Sequence, residues 1–294
     1  SQIMANKNIH LVVIDPQNDF CDLPEGYRPV VPGTADVRQV PALPVAGAHA
    51  DMQRVAALID QGGEGLGHIS ITLDSHQRVD IAHPTFWQQG DGSAMAGFTP
   101  IHAIDVREGR YLPRNAEVLA RVVAYLETLE ASGRHDHMVW PVHCEIGTWG
   151  NNVHEDVRRS YNRWEEKHAR IVNKVVKGTN PMTEHYSAIM AEVPIADEQS
   201  TLLNATFIAQ LKQADLVLIA GEAGSHCVKA TTEHIVENFA EADLDKLVLL
   251  TDCMSPVAGF ESHYAAFIEN MRGRGLQIMQ SGDVLSMLMA NARH

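Results

Sequence analysis

Cys227, in GEAGSHCVKATTEHI, has surroundings that favour chemistry. It follows an aliphatic run and a glycine-containing turn and opens a helix-like stretch, which would set its sulfur among the unpaired N–H groups of a helix N-terminus. Such a position favours the thiolate over a free thiol of pKa ~8.5, and the thiolate is the nucleophile. The same turn offers backbone N–H groups able to hold an oxyanion. A buried structural cysteine would have the same sequence neighbours, so its company matters. Asp15, in LVVIDPQNDF, and Lys177, in NKVVKG, each close an aliphatic run. Alone they read as a turn carboxylate and a surface lysine; together with Cys227 they supply a proton acceptor, a cation and a nucleophile.

A second set lies in TLDSH, where Asp74 and His76 stand two residues apart and can reach a common point at an extended strand end. With His143 from WPVH they make an O, N, N set suited to Zn, Fe or Mn, with His83 from DIAHP as a further candidate. Hydrogen-bonded loop histidines are the competing reading. His135 and His137 read as solvated loop residues.

These residues need a frame that brings them to one place. Short aliphatic runs end at Ile14, Leu73, Val142, Val176, Ala220 and Thr251, with a weaker one in GLQIM near Met279. Stretches with apolar spacing of three and four lie between them, at 50–61, 116–132, 204–213, 228–239 and 264–272. Strands alternating with helices predict an α/β fold: a doubly wound, mainly parallel six-stranded sheet with helices on both faces, a Rossmann-like three-layer sandwich. In such sheets the carboxyl ends of the strands line the ligand crevice, and the reactive residues follow those ends. The chain reads as one domain, 1–294, with inserted loops at about 23–47 and 75–114 that lack periodicity and carry many Gly and Pro.

Composition narrows the function classes. The 294 residues are 45% hydrophobic and 20% charged, enough for a large core. Lys plus Arg number 23 against 37 Asp plus Glu, a net charge of −14 with no basic block, so nucleic acid and anionic membrane are poor partners. No run of ~18 apolar residues and no signal-peptide core is present, which predicts a cytoplasmic protein. Cys21, Cys144, Cys227 and Cys253 lie far apart with no C-x-x-C, as reduced thiols do. A thiol redox role would lack a resolving cysteine at short spacing.

VVIDPQNDFC, TLDSH, WPVHCEIGTWG, KGTNPMTEHYSA, GEAGSHCVKAT and TDCMSPV, in this order from about Ile9 to Leu285, resemble the isochorismatase-like cysteine hydrolases, and most of all their nicotinamidase (pyrazinamidase) branch. The resemblance implies a catalytic triad of Asp15, Lys177 and Cys227 that hydrolyses an amide through a thioester, with nicotinamide giving nicotinate and ammonia. It implies a cis peptide at Glu222-Ala223 and an oxyanion hole formed by the N–H groups of Ala223 and Cys227. It also implies a divalent metal, zinc before iron or manganese, on Asp74, His76 and His143 with His83 as a fourth candidate. Phe20 and Trp140 would flank the substrate ring, and a homo-oligomer is common in the family. Glu222 stands where the family has an apolar residue, and both inserted loops are longer than in short bacterial members. The alternatives are an amide or carbamoyl hydrolase acting on another small substrate, and a non-catalytic binding protein on the same fold.

Overall fold

The computed structural model describes residues 6–292. In chain order its regular elements are β1 (Ile9–Ile14), α1 (Ala48–Gly62), β2 (His68–Asp74), β3 (Trp87–Gln89), β4 (Thr99–Ile101), α2 (Ala103–Arg107), β5 (Tyr111–Pro113) and α3 (Leu119–Ser132). There follow β6 (His137–Val139), α4 (Glu155–His168), β7 (Asn173–Lys177), α5 (Ala205–Lys212), β8 (Leu216–Gly221), α6 (Cys227–Glu237), β9 (Leu247–Leu250), α7 (Glu261–Arg274), β10 (Gln277–Met279) and α8 (Ser281–Asn291).

Six strands form one parallel sheet in the order β10-β9-β8-β1-β2-β7, covered by helices on both faces. β1 shows why its run is aliphatic throughout. Ile9, Leu11 and Val13 pack with α1, α4 and α8 on one face, while Val12 and Ile14 pack with α5, α6 and α7 on the other. A strand buried on both sides has no position for a polar residue that lacks a partner. His10 is the exception, and it bonds Ser70 on the neighbouring strand at 2.7 Å.

Two expectations change. The run ending at Val142 is not a strand of the main sheet: His137–Val139 pairs antiparallel with β4, and the short GLQIM strand takes the sixth place. Pro141 has no N–H for a sheet ladder, so the run leaves its pairing at Trp140. The insertion at 75–114 is also not a bare loop. Its strands β3, β4 and β5, with α2, build a third apolar cluster against α3 around Trp87, Ile101 and Leu126. No helix among the described residues is long and apolar enough to cross a membrane.

The strand order reverses between β1 and β8, and that gap is where a doubly wound sheet opens a crevice. The two backbones approach closely there. Gly221 ends β8 at φ +125°, and a Cβ on it would lie 2.1 Å from the Ile14 carbonyl oxygen. Gly221→Ala is therefore expected to cost about 3 kcal/mol or more, read as a lower urea midpoint. Gly273→Ala, on α7 with open space around it, is expected to leave the midpoint unchanged or raise it slightly.

Candidate active site

Asp15 leaves the end of β1 at φ +46°, uncommon for a residue with a side chain, and Thr72 of β2 holds it twice. The Thr72 hydroxyl accepts from the Asp15 N–H at 3.0 Å and donates to Asp15 Oδ1 at 2.6 Å. Oδ2 is left 3.0 Å from the Lys177 ammonium. Lys177 ends β7, is 3% exposed, and also reaches Asp74 Oδ1 at 3.4 Å, the His185 carbonyl at 3.0 Å and Cys227 Sγ at 3.6 Å. The structure thus brings the acid, amine and thiol named from sequence into mutual reach across three elements.

Cys227 is the first residue of α6, as its sequence position implies. Burial pushes the thiol well above its usual range; Lys177 pulls it down, while Asp15 and Asp74 push it up. Burial and the two carboxylates thus favour the protonated form, against the ammonium and the helix terminus. Burial likewise raises Asp15, and Lys177 opposes that rise. A carboxylate made more basic beside a protonated thiol is the arrangement a general base needs.

The turn ahead of Cys227 carries the cis peptide Glu222-Ala223 that the resemblance implies. The N–H groups of Gly224, His226 and Val228 bond the carbonyls of Ser255 and Ala223, and no acceptor in the turn takes those of Ala223 and Cys227. Glu222 is buried away from the cavity, accepting from the Ser255 N–H at 3.1 Å. Burial, then Asp51 beside it, pushes its carboxyl well up.

The histidines converge on the neighbouring end of β2. Gln17 clamps the backbone of Asp74 from both sides, at 2.8 Å each. His76 pairs through its backbone with the 144–146 segment, which sets His143 beside it. Nitrogens of His76, His83 and His143 lie within 4.8 Å of one another, and Asp74 Oδ2 is 2.9 Å from His76 Nε2 and 3.4 Å from His143 Nε2. Each Nδ1 is already occupied: His76 by Asp80 at 3.2 Å, His83 by the Arg78 carbonyl at 3.2 Å, His143 by the Pro141 carbonyl at 2.7 Å. The three rings stay close, His83 Nε2 also accepting from the His143 N–H at 3.4 Å, and burial first, then the neighbouring imidazoles, holds His83 neutral with a pKa of about 3. Three oriented imidazole nitrogens and a carboxylate fit a divalent transition metal.

A cavity joins the two groups of residues, walled by Phe20, Trp140, Tyr186, Val257, Leu43 and Val45 beside Asp74, His143, Ala223 and Cys227. Trp140 donates to the Tyr186 hydroxyl at 3.0 Å, and Phe20 leans on His143. Trp140, Tyr186 and His226 separate it from an outer cavity of about 430 Å³ that contains His135. His137 is no solvated loop residue: it is buried between the Tyr125 hydroxyl and the Ile81 carbonyl. Sequence reasoning missed Asp80, Thr72, Gln17, Glu184 and Tyr186. Only Asp80, four residues after His76, carried a signal that could have found it.

Solved structures share this architecture. The Acinetobacter baumanii nicotinamidase/pyrazinamidase aligns with a TM-score of 0.57 at 18% identity over 95% of this chain and 98% of its own. The yeast nicotinamidase aligns with 0.60 at 20% identity over 92% and 99%. The chain has their fold. The Pyrococcus horikoshii pyrazinamidase, solved in complex with zinc, aligns with 0.50 at 20% identity over 93% and 99%. No protein-family model and no curated protein matches the sequence.

Asp80→Asn removes the charge that orients His76 while leaving all four donors. It is expected to weaken zinc binding about ten- to a hundredfold in a chelator competition, with the far-UV spectrum unchanged. Unaltered affinity would mean that Asp80 does not set the His76 ring.

Proposed function

We propose that the chain is an isochorismatase-like cysteine hydrolase, a metal-containing amidase that converts nicotinamide to nicotinate and ammonia. The observation that carries this is the cluster of Asp15, Lys177 and Cys227, whose cysteine lines a cavity also lined by Asp74 and His143.

In the reaction, Asp15 takes the Cys227 proton as sulfur adds to the amide carbon. Lys177 stays cationic: burial opposes its charge, but Asp15, Asp74 and Cys227 raise its pKa well above the usual range. The ammonium therefore steadies the sulfur as negative charge passes through it. The Ala223 and Cys227 N–H groups, without acceptors in the turn, receive the oxyanion. Collapse of the adduct breaks the C–N bond, Asp15 returns its proton to the nitrogen, and ammonia leaves a thioester. A water deprotonated by Asp15 then adds to the thioester, releasing the carboxylic acid and the thiol.

Asp74, His76, His83 and His143 would hold the divalent ion, which supplies a Lewis-acid anchor for a ring nitrogen when bound. Phe20 and Trp140 suit the flat faces of a heteroaromatic ring, which favours a pyridine amide over an aliphatic carbamoyl compound.

Metal-analysed protein given nicotinamide is expected to release ammonia at roughly 1 s⁻¹ or faster. Cys227→Ala is expected to release none while keeping its fold. Ammonia release undiminished in that variant would remove the thioester route, and no release from metal-loaded wild type would move the substrate to another amide.

A further inference from the structure

Glu184 lies in the same cavity wall and has no part in the chemistry above. It is 3% exposed. One carboxyl oxygen accepts from the His185 N–H at 3.0 Å; the other, Oε2, has no hydrogen-bond partner. Two polar groups near it in sequence or space are committed elsewhere. The Tyr125 hydroxyl bonds His137 and the Glu184 N–H, and the Thr183 hydroxyl donates to the Val193 carbonyl. Leaving a buried acceptor unsatisfied costs about 1–3 kcal/mol, which makes an orphan here an expensive wall residue unless something else meets it.

The other polar side chains around the cavity each have a partner or a role of their own. Asp74 and His143 belong to the donor set, Cys227 to the nucleophile, the Tyr186 hydroxyl to Trp140, and His226 Nδ1 to Ser225. The remainder of the wall is apolar. Glu184 is therefore the carboxyl with an uncommitted oxygen beside the place where the ring of an amide would lie.

We propose that Glu184 is a specificity-determining residue: it reads a hydrogen-bonding substituent, so that the preferred substrate is an amino- or hydroxy-substituted heteroaromatic amide rather than the bare ring. This rests on the amidase reading of the cavity and names its substrate class more closely. A carboxyl accepts when ionised and can donate as well when protonated, so Glu184 can meet either kind of substituent. A site built around such a partner discriminates against ligands that lack it, because they leave the carboxyl unpaired.

The test is calorimetric binding to zinc-loaded Cys227→Ala protein, with nicotinamide and its amino and hydroxy derivatives at each free ring carbon as probes. At least one derivative is expected to bind about tenfold or more tightly than nicotinamide, the size of one well-placed hydrogen bond to a buried carboxyl. Adding Glu184→Leu should level that difference by improving nicotinamide and weakening the derivative. Glu184→Gln, nearly the same shape, should change the ranking of donor against acceptor substituents, and it carries the test should the leucine variant fail to fold. No preference for any derivative, no binding at all, or an equal loss for every ligand in both variants would overturn the proposal. Ammonia release by wild type is scored separately: selective binding without hydrolysis of any probe would sink the amidase reading and leave the discrimination by Glu184 standing.

Discussion

One buried ammonium ties the site together. Lys177 lies between Asp15 and Asp74, at 3.0 and 3.4 Å, with the Cys227 sulfur at 3.6 Å. Two carboxylates this deep would repel each other and resist ionisation; a cation between them opposes that. Asp15 belongs to the nucleophile and Asp74 to the histidine cluster, so the two halves of the site share one counter-ion. Breaking a buried pair by removing one partner typically costs about 3–5 kcal/mol, and here two carboxylates would be stranded at once. The position at the end of β7 next to β2 is what the parallel register provides: Asp74 pairs with Lys177 across the ladder.

Much of this was legible in the sequence because it follows from runs that can only be interior strands. The aliphatic segments ending at Ile14, Ala220 and Val176 place Asp15, the Cys227 turn and Lys177 at one edge, and the structure has them there. Asp74 and His76 were legible for the same reason, since TLDSH ends β2. The failure at Val142 is instructive: HMVWPV has the composition of a core strand, but β-propensity cannot tell a main-sheet strand from a two-stranded ribbon. α4 and α8 went unread in the periodicity. α4 is strongly charged, with only Val157, Tyr161 and Trp164 as large apolar contacts, and α8 follows β10 almost without a break.

The supporting residues were not legible, and for a different reason. Thr72, Gln17 and Glu184 act through partners far off in sequence or through a geometry that pairs them with one atom of a neighbour. Their types are ordinary in strands and loops. The upward push on the Cys227 thiol was not legible either, because a helix N-terminus is a local feature, whereas burial and two nearby carboxylates are tertiary ones. The segment 23–47 reached the site in a way its composition did not announce: Leu43 and Val45 hang from the Asp19 and Phe20 carbonyls and close the cavity on one side.

The donor cluster also spans a seam. Asp74 and His76 come from the end of the main sheet, whereas His83 opens the insertion whose ribbons and helices form their own apolar cluster, and His143 follows the ribbon strand β6. Any ion that joined the four would fasten the insertion to the sheet, and binding confined to the folded state adds RT ln(1 + [L]/Kd) to its stability. That increment would fall mainly on the seam, since the core strands are buried on both faces with or without it. Cellular metal supply would then set the lifetime of the insertion against proteases as well as the occupancy of the site.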